Sequence, residues 1–337
     1  MNNKASNTSI LLTIILPFLD AEYDIHGVFK SIKDQVKIDK SRIEILLVND
    51  GSTDNTVPLS EKYSTKMLYD YNSFKVFSHG KRAGLSKTRI DGAKIARGKN
   101  ITFIDKRTRP DPYYIHNLLN KEHHVVIGSP YINKNAGIWP RVLSLAREKL
   151  YYPYFNHDFD DIILNQYEYR KFKNKGGGGA MLVPRKSFIQ IAQSLGTSQH
   201  SNDDSKLIEK LAEIDPILKT SSARIEYLNR TGYWENIMHL YNRGPKFVDY
   251  YLSRDSRFFP HLISLIVLVP IVIFLLFIPN IIWWLIIVMV GSVGVYSVYI
   301  SNTLSDFMAC IVIVPITLFV FSLGIFRGLF LKLINKY

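Results

Sequence analysis

The sequence predicts an α/β protein, with a mainly parallel sheet covered by helices on both faces and transmembrane helices after it. Two observations lead to this prediction. Short apolar runs alternate with stretches of helical spacing over the first part of the 337-residue chain, and such alternation is typical of parallel sheets between helices. In contrast, the segment from Phe258 to Phe326 contains no lysine or arginine and a single acid, Asp306.

The N-terminal elements are predicted from β-branched runs and helical spacing. Strands are expected at Thr13–Leu16, Ile43–Val48, Phe74–Phe77 and Ile101–Ile104, and helices between them at Gly27–Val36, Val57–Lys66 and Ser86–Ala96. In sheets of this kind, ligands bind beyond the carboxyl ends of the strands. The residues that follow Leu16, Val48 and Ile104 are therefore the first candidates for a functional site.

Composition limits the class of protein. Cys310 is the single cysteine, so an intrachain disulfide and a multi-cysteine zinc site are excluded. The net charge of +13 lies mostly before the apolar segments, and a basic part beside apolar segments favours attraction to membrane lipids. Nucleic-acid binding is the alternative interpretation of the same positive charge. Because the chain has neither a lysine- and arginine-rich run nor an RNP-type motif, we expect no nucleic-acid partner.

Three apolar segments approach the length of ~20 residues that a helix needs to cross a membrane. They are His261–Ile278, Ile281–Ile300 and Phe307–Phe326. Basic residues precede the first and follow the last, so the positive-inside rule favours both ends in the cytoplasm, whereas three crossings would separate them. Both two and three crossings stay open. With two crossings, residues 261–300 would form an embedded hairpin or a partly interfacial helix.

The division of the chain follows from this contrast. We predict a cytoplasmic globular domain over residues 1–258, which ends in a pre-membrane amphipathic region from about 230 to 258, and a membrane region over 259–337 with two or three transmembrane helices. The apolar run Ile10–Leu19 is too short to span a membrane and lacks a small-residue cleavage site. A multi-pass protein of the cell membrane is therefore expected.

Polar residues follow three of the predicted strands. The segments are Pro17-Phe18-Leu19-Asp20, Asn49-Asp50-Gly51-Ser52-Thr53-Asp54 and Asp105-Lys106-Arg107-Thr108-Arg109. Turn chemistry would explain any one of them, because Asn, Asp, Gly and Ser are preferred in tight turns and helix caps. Acids at successive strand ends of one sheet indicate a ligand site.

The string VNDGSTD at Val48–Asp54, with the strand before it and the segment Gly84–Arg89 after it, resembles the family 2 glycosyltransferases of the GT-A fold. The resemblance runs from about Thr13 to Tyr251. It implies a Rossmann-type sheet, a nucleotide-sugar donor with a UDP-sugar favoured, and inversion at the anomeric carbon. By the family pattern, the nucleobase and ribose lie against Pro17, Phe18, Asp20 and Asp50, and Arg89 lies near the diphosphate.

The resemblance departs from the family pattern after the fourth strand. Family members carry Asp-x-Asp there, and its second acid holds a divalent ion that bridges the donor diphosphate. This chain has Arg107 in that place. Lysine and arginine can neutralise a leaving diphosphate without a metal, so Asp105, Lys106, Arg107 and Arg109 are assigned to the donor side. Asp105 is also the candidate ligand for Mg²⁺ or Mn²⁺, and metal-dependent and metal-independent catalysis both stay open.

Two features supply the acceptor side. Four glycines precede an apolar strand at 181–183, and such a segment lets a backbone pass close to a sugar or lipid phosphate. In the family a glycine-rich segment here borders the acceptor, which implicates Gly177, Gly178 and Gly179. Further on, Asp203 and Asp204 open a predicted helix, where acids also serve as caps. The family uses such a pair to take the proton of the attacking hydroxyl, so Asp204 is the candidate base and Asp203 its neighbour.

The amphipathic region resembles the segment that precedes the membrane helices in membrane-bound family members. Processive polysaccharide synthases end it with Gln-x-x-Arg-Trp, whereas here Arg243 has neither the Gln nor the Trp. Processive synthesis is thereby disfavoured, and Arg243 is retained as an acceptor-side residue. The predicted function is transfer of one sugar to a cell-envelope polysaccharide or polyprenyl-linked acceptor. The alternatives are a polyprenyl-phosphate glycosyl synthase and a non-catalytic membrane-bound scaffold with the same fold.

Overall fold

The structure, a computed structural model, describes residues 9–121, 123, 125–133, 135, 137–172, 178–195, 203–256, 258–275, 277–278 and 280–334. Its strands are β1 (Leu12–Phe18), β2 (Ile43–Asn49), β3 (Ser73–Ser78), β4 (Asn100–Phe103), β5 (Thr108–Pro110), β6 (Val126–Tyr131), β7 (Ile162–Leu164), β8 (Met181–Pro184) and β9 (Ile217–Tyr227). Its helices are α1 (Ile25–Lys33), α2 (Thr56–Met67), α3 (Leu85–Ile95), α4 (Tyr114–Leu119), α5 (Ile138–Tyr151), α6 (Gln166–Lys171), α7 (Arg185–Ser194), α8 (Asp203–Ile214), α9 (Tyr233–Tyr251), α10 (Phe259–Leu275), α11 (Ile281–Ile300) and α12 (Leu304–Leu333).

The N-terminal half of the sheet is parallel, as predicted. Strand β1 pairs with β2 and β4, and β2 pairs with β3, all in parallel. Every residue of β1 and β2 is buried, because helices cover both faces. One face packs on α1 through Phe29, and the other packs on α3 through Ala93 and on α7 through Phe188.

The second half of the sheet is mixed rather than parallel. Strand β8 runs antiparallel to β4 and to β6, and β9 pairs in parallel with β6 and antiparallel with β5 and β7. The α/β class is confirmed, but parallel pairing belongs mainly to the part where strands and helices alternate regularly. Beyond Phe103 several strands are only three or four residues long, too short for their direction to be predicted from a pattern.

Within the described residues, two helices are long and apolar enough to cross a membrane, namely α11 and α12. Helix α11 coincides with the second predicted span, and α12 contains the third and extends beyond it at both ends. The first predicted span corresponds to α10, which at 17 residues is shorter than the other two helices. The structure therefore supports membrane anchoring through two candidate spans.

The apolar C-terminal part packs against the globular part. Helix α12 lies along α9, and the two backbones come so close at Gly244 that a Cβ atom there would lie 2.0 Å from the carbonyl carbon of Gly324. Arg141 of α5 forms an ion pair with Asp306 near the start of α12. Residues on either side of the predicted boundary at 258 thus share packing.

Candidate active site

The loops after β1 and β2 interlock at the carboxyl edge of the sheet. The Asp20 N–H donates to Ser52 Oγ (3.0 Å), and the Thr53 N–H donates to Asp20 Oδ1 (3.0 Å). Asp20 is exposed, whereas Pro17 and Phe18 are buried within β1. The loop beyond Phe18 therefore forms the accessible surface at this edge.

Asp50 shapes the loop that leads into α3. Its carboxylate accepts hydrogen bonds from the N–H groups of Ala83 (2.7 Å) and Gly84 (3.1 Å), and its Oδ1 lies 3.4 Å from Nδ1 of His79. Gly84 has φ +94°, a conformation that side-chain-bearing residues rarely adopt. Asp50 is buried and fixes the start of the helix that carries Arg89, and its predicted contact with a nucleobase or ribose stays a prediction.

Helix α3 approaches the sheet closely at Gly92. A Cβ atom there would lie 2.9 Å from side-chain carbons of both Ile15 and Val48. Because Gly92 has no side chain, α3 packs closely against the sheet. Arg89 of α3 consequently lies beside the carboxyl end of β4.

The Arg89 guanidinium joins two acids from distant parts of the chain. One terminal nitrogen donates to Asp204 Oδ1 at 2.6 Å, and the other donates to both carboxylate oxygens of Asp105 at 3.0 Å. Asp105 follows β4 and Asp204 lies in the first turn of α8. The structure therefore brings together the predicted base, the predicted strand-end acid and the predicted diphosphate-side arginine.

Arg89 carries its charge in a buried position. Only 5% of its surface is exposed, and its guanidinium carbon lies 5.2 Å from the centre of the Phe103 ring. Burial lowers the pKa of Arg89, but the carboxylates of Asp105 and Asp204 outweigh burial and raise its pKa above the ordinary arginine value. Its Nε is buried without a hydrogen-bond partner among the described residues. A fixed cation thus stands between the two acids.

The glycine-rich segment lies close to Asp105. Gly178 and Gly179 lie in a short 3-10 helix, and a Cβ atom on Gly179 would lie 2.9 Å from Asp105 Oδ2. A side chain at position 179 would therefore require the Asp105 carboxylate to shift. Gly177 lies outside the described residues. Asp203 is the first residue of α8.

The three basic residues after Asp105 diverge. Lys106 donates to the carbonyls of Leu19 (2.7 Å) and Asp20 (2.6 Å), and burial lowers the pKa of its amine. Lys106 thus ties the end of β4 to the loop after β1. The Arg109 guanidinium donates to the carbonyl of Lys106 at 2.7 Å, and one of its terminal nitrogens lies 3.6 Å from the Asp24 carboxylate.

Arg107 faces α9 instead. Its guanidinium lies 3.8 Å from the Glu235 carboxylate in the first turn of that helix. The other end of α9 reaches α8, because Lys206 lies 2.6 Å from Asp249. Helix α9 therefore runs past the site from the turn after β4 to the helix that carries Asp204, and the exposed Arg243 lies between these ends.

Sequence reasoning missed several residues in this region. His79 lies between Asp50 and Asp91, with Nε2 at 3.1 Å from Asp91, and Glu235 meets Arg107. The spacing of four residues between Glu235, His239 and Arg243 is visible in the sequence and predicts one face of a helix. The approach of that face to Arg107 is a tertiary contact without a sequence signal.

A divalent ion would have to use few protein ligands here. Within the described part of the chain, no three His, Cys, Asp or Glu side chains form a metal-binding group. Both oxygens of Asp105 already accept from Arg89. Mg²⁺ is often bound by one or two carboxylates together with substrate phosphates, so the metal assignment of Asp105 stays a prediction.

The chain is similar in sequence to known glycosyltransferases. The family model described as "Glycosyl transferase family 2" matches residues 13–183, about half of the chain. The uncharacterized glycosyltransferase YibD of Escherichia coli (strain K12) is 31% identical over 99 residues, which are 29% of this chain and 26% of that protein. The matched region thus spans about a quarter of this curated relative.

Two solved structures share the fold. S. aureus TarS 1-349 in complex with UDP-GlcNAc aligns with TM-score 0.50 and 15% identity over 72% of this chain and 67% of that chain. The mannosyltransferase PcManGT from Pyrobaculum calidifontis, in complex with GDP-Man and Mn²⁺, aligns with TM-score 0.50 and 16% identity over 71% of this chain and 62% of that chain. These likenesses confirm the predicted GT-A-like fold.

Proposed function

Because this chain belongs to glycosyl transferase family 2, we propose that it is an inverting glycosyltransferase anchored in the cell membrane. It moves a single sugar from a nucleotide-sugar to a cell-envelope polysaccharide or polyprenyl-linked acceptor at the cytoplasmic face. Two fold neighbours, solved with UDP-GlcNAc and with GDP-Man, support a nucleotide-sugar donor for this chain as well.

The observation that carries this proposal is the contact of Arg89 with Asp105 and Asp204. A sugar transferase needs an acid near the acceptor and positive charge near the leaving diphosphate. Arg89 holds both parts within one hydrogen-bonded unit at the carboxyl edge of the sheet. The Asp204 side chain is 41% exposed, so an acceptor hydroxyl has access to it.

The chemistry is a single displacement. The acceptor hydroxyl oxygen forms a bond to the anomeric carbon, its proton passes to the Asp204 carboxylate, and the bond from the anomeric carbon to the diphosphate oxygen breaks. Attack on the face opposite the leaving group inverts the configuration. Arg89 orients Asp204 through its Oδ1 and keeps positive charge at the site where the diphosphate becomes more negative.

We propose that protein side chains supply the positive charge at the diphosphate. Arg89 supports this proposal because it already occupies the space between two carboxylates. The alternative is Mg²⁺ or Mn²⁺ held by Asp105 together with the donor phosphates, and a bound ion would then stabilise the leaving group. Chelation separates the two: we expect transfer to persist in EDTA. Loss of transfer in EDTA with recovery on adding Mn²⁺ would overturn metal independence and leave the transferase assignment standing.

The function itself is tested with a panel of donors. Full-length protein in detergent or nanodiscs is incubated with UDP- and GDP-sugars, and release of nucleoside diphosphate is measured with and without acceptor lipid extract. We expect release with one donor, stimulated by the extract, and a product of inverted configuration by NMR. Donor binding without release from any donor would favour the non-catalytic scaffold. A sugar product that mild acid releases from a lipid phosphate would favour the polyprenyl-phosphate glycosyl synthase.

A further inference from the structure

Beyond the Arg89 unit, a second group of basic side chains gathers between α5, α9 and the turn after β4. We call it the cationic cluster, and its members are Arg107, Arg147, Arg230, His239 and Arg243. They come from four separate places in the chain, so no local pattern in the sequence brings them together.

The region where β9 leads into α9 positions Arg107, Arg230 and His239. The Leu228 N–H donates to the Arg107 carbonyl at 2.8 Å, which holds the turn after β4 against the end of β9. Arg230 follows in that connection, where its carbonyl accepts from the Asn236 side chain at 2.9 Å. His239 lies one turn further along α9.

Within α9, His239 and Arg243 are four residues apart and so share one face of the helix. Arg147 lies on α5, and its charge acts on His239 while the charge of Arg243 acts on it. Helix α5 is held beside α9 by packing of Trp139 on Tyr233, with ring centres 6.1 Å apart.

The members act on one another electrostatically. Burial and the charges of the four arginines together lower the pKa of His239 to about 3. Burial and the charge of Arg243 lower the pKa of Arg147 to about 10. At neutral pH Arg147 is therefore still charged and His239 is neutral.

The cationic cluster is poorly compensated. Glu235 lies 3.8 Å from Arg107, and it is largely exposed. For Arg147, Arg230 and Arg243, no ion pair within 4.0 Å is formed with another residue in the described part of the chain. Arg107, Arg147 and Arg230 are partly buried, whereas Arg243 is exposed. Like charges held together beside partly buried positions oppose folding unless an anion joins them. Arginine is the side chain best suited to bind phosphate through paired hydrogen bonds.

The position of the cluster indicates which phosphate it meets. Helix α9 passes the site between Arg107 and Asp204 on one side and packs along α12, a candidate membrane span, on the other. The part of α9 that carries Arg243 therefore lies between a candidate membrane span and the helix that carries Asp204. Near the start of α9, the Trp234 side chain is 73% exposed, which offers apolar surface next to the basic groups.

We propose that the cationic cluster binds the phosphate of a lipid-linked acceptor and so holds the acceptor beside Asp204. This inference rests on the proposed function, because it names the acceptor's anionic group for the same site. The donor diphosphate is the other phosphate that could approach, and the experiment separates the two sources.

The test measures binding to the full-length protein in detergent. The probes are a polyprenyl phosphate, the uncharged polyprenol of the same chain length, phosphatidylglycerol and UDP. The variants are Arg147→Gln and Arg243→Gln. The matched control is Arg254→Gln, which removes the same charge from the exposed connection between α9 and α10.

We expect each cluster variant to weaken polyprenyl phosphate binding about tenfold or more, because a charge-assisted contact is lost, with UDP affinity unchanged. Arg254→Gln should bind both probes as the wild type does. If Arg147→Gln fails to fold, as shown by lost UDP binding, the exposed Arg243→Gln decides the question alone.

Any of four binding results would overturn the inference. UDP affinity could fall in parallel, which would assign the cluster to the donor. Polyprenol could bind as tightly as its phosphate, phosphatidylglycerol could compete equally, or Arg254→Gln could weaken binding as much as the cluster variants do. Cluster-dependent phosphate binding without transfer from any donor would contradict the proposed function alone. Transfer to a lipid acceptor without such binding would contradict this inference alone.

Discussion

Arg89 connects residues that are 16 and 115 positions away in the chain. Its two ion pairs fix the separation and orientation of Asp105 and Asp204. Arg89 is buried, while Asp204 is partly exposed. The arginine therefore holds the accessible carboxylate in a fixed position.

Replacing Asp204 by Asn removes the proton acceptor but keeps the shape of the side chain. We expect turnover to fall at least ~100-fold, as for loss of a general base, with little change in donor affinity. The measurement is steady-state transfer together with UDP titration. Asp203→Asn serves as the neighbouring control and should have a milder effect. Wild-type turnover in Asp204→Asn would remove the assignment of the base.

Adding one methyl group at Gly179 should disturb Asp105. The new Cβ would lie 2.9 Å from Asp105 Oδ2, so the carboxylate must move relative to Arg89. Misplacement of a site group by about 1 Å can cost up to ~100-fold in rate, and we expect Gly179→Ala to lose ~10-fold or more in kcat/KM. Gly80→Ala is the matched control, because a Cβ there meets nothing within 4 Å. Equal activity of the two variants would contradict the steric role of Gly179.

At the scale of elements, α9 links the site to the membrane region. It meets Arg107 at its start and α8 near its end, and it packs on α12 in between. The packing of α9 on α12 depends on two glycines that let the backbones touch, so the position of α9 next to the site depends on a contact with a candidate membrane span.

Substituting Gly244 by Ala should separate α9 from α12. The Cβ would lie 2.0 Å from the carbonyl carbon of Gly324, and backbone atoms cannot yield as a flexible side chain does. Overpacking of this kind costs ~1–3 kcal/mol, and we expect a lower thermal midpoint and weaker transfer to lipid acceptor with UDP affinity retained. Gly291→Ala in α11, where a Cβ meets nothing within 4 Å, should leave both quantities unchanged. A wild-type midpoint for Gly244→Ala would show that the crossing of the two helices is loose.

At the scale of the whole molecule, the globular and membrane parts share an apolar cluster. Trp139 and Leu145 of α5 pack with Cys310 and Ile313 of α12, and Leu240 of α9 borders them. The boundary at 258, which stays a prediction, marks a change in composition rather than a gap in packing.

Truncation after Phe258 tests this sharing. Because β1 to β4 lie upstream, we expect the truncated chain to bind UDP with near wild-type affinity. Because α5 and α9 lose their apolar cover, we expect it to self-associate unless detergent is present. Size-exclusion chromatography and UDP titration measure the two properties. A monomer in the absence of detergent would show that the cover is dispensable, and loss of UDP binding would place the tail within the fold.

The periodicity and composition of the sequence were enough for the α/β class and for the four parallel strands, and the resemblance of the VNDGSTD string to family 2 glycosyltransferases predicted the family. Alternating elements and the VNDGSTD string at Val48–Asp54 are local signals in the sequence. Burial of whole strands and helices stabilises the elements that the alternation predicts. The ends of β1, β2 and β4 were predicted within two residues. Asp50 and Asp105 were singled out because each follows a strand that has a local pattern. Asp204 was singled out because the family resemblance implies an acid pair at the start of such a helix.

Only the tertiary structure decided which of these residues meet. The sequence placed Lys106, Arg107 and Arg109 together, but the fold turns them toward the β1 loop, α9 and α1 respectively, because each long side chain finds its partners in a different neighbouring element. The sequence likewise could not predict the antiparallel direction of β8, the contact of Gly244 with Gly324 or the proximity of several arginines to His239. Such contacts join residues far apart in the chain, and their energies depend on burial and distance, which no local pattern contains.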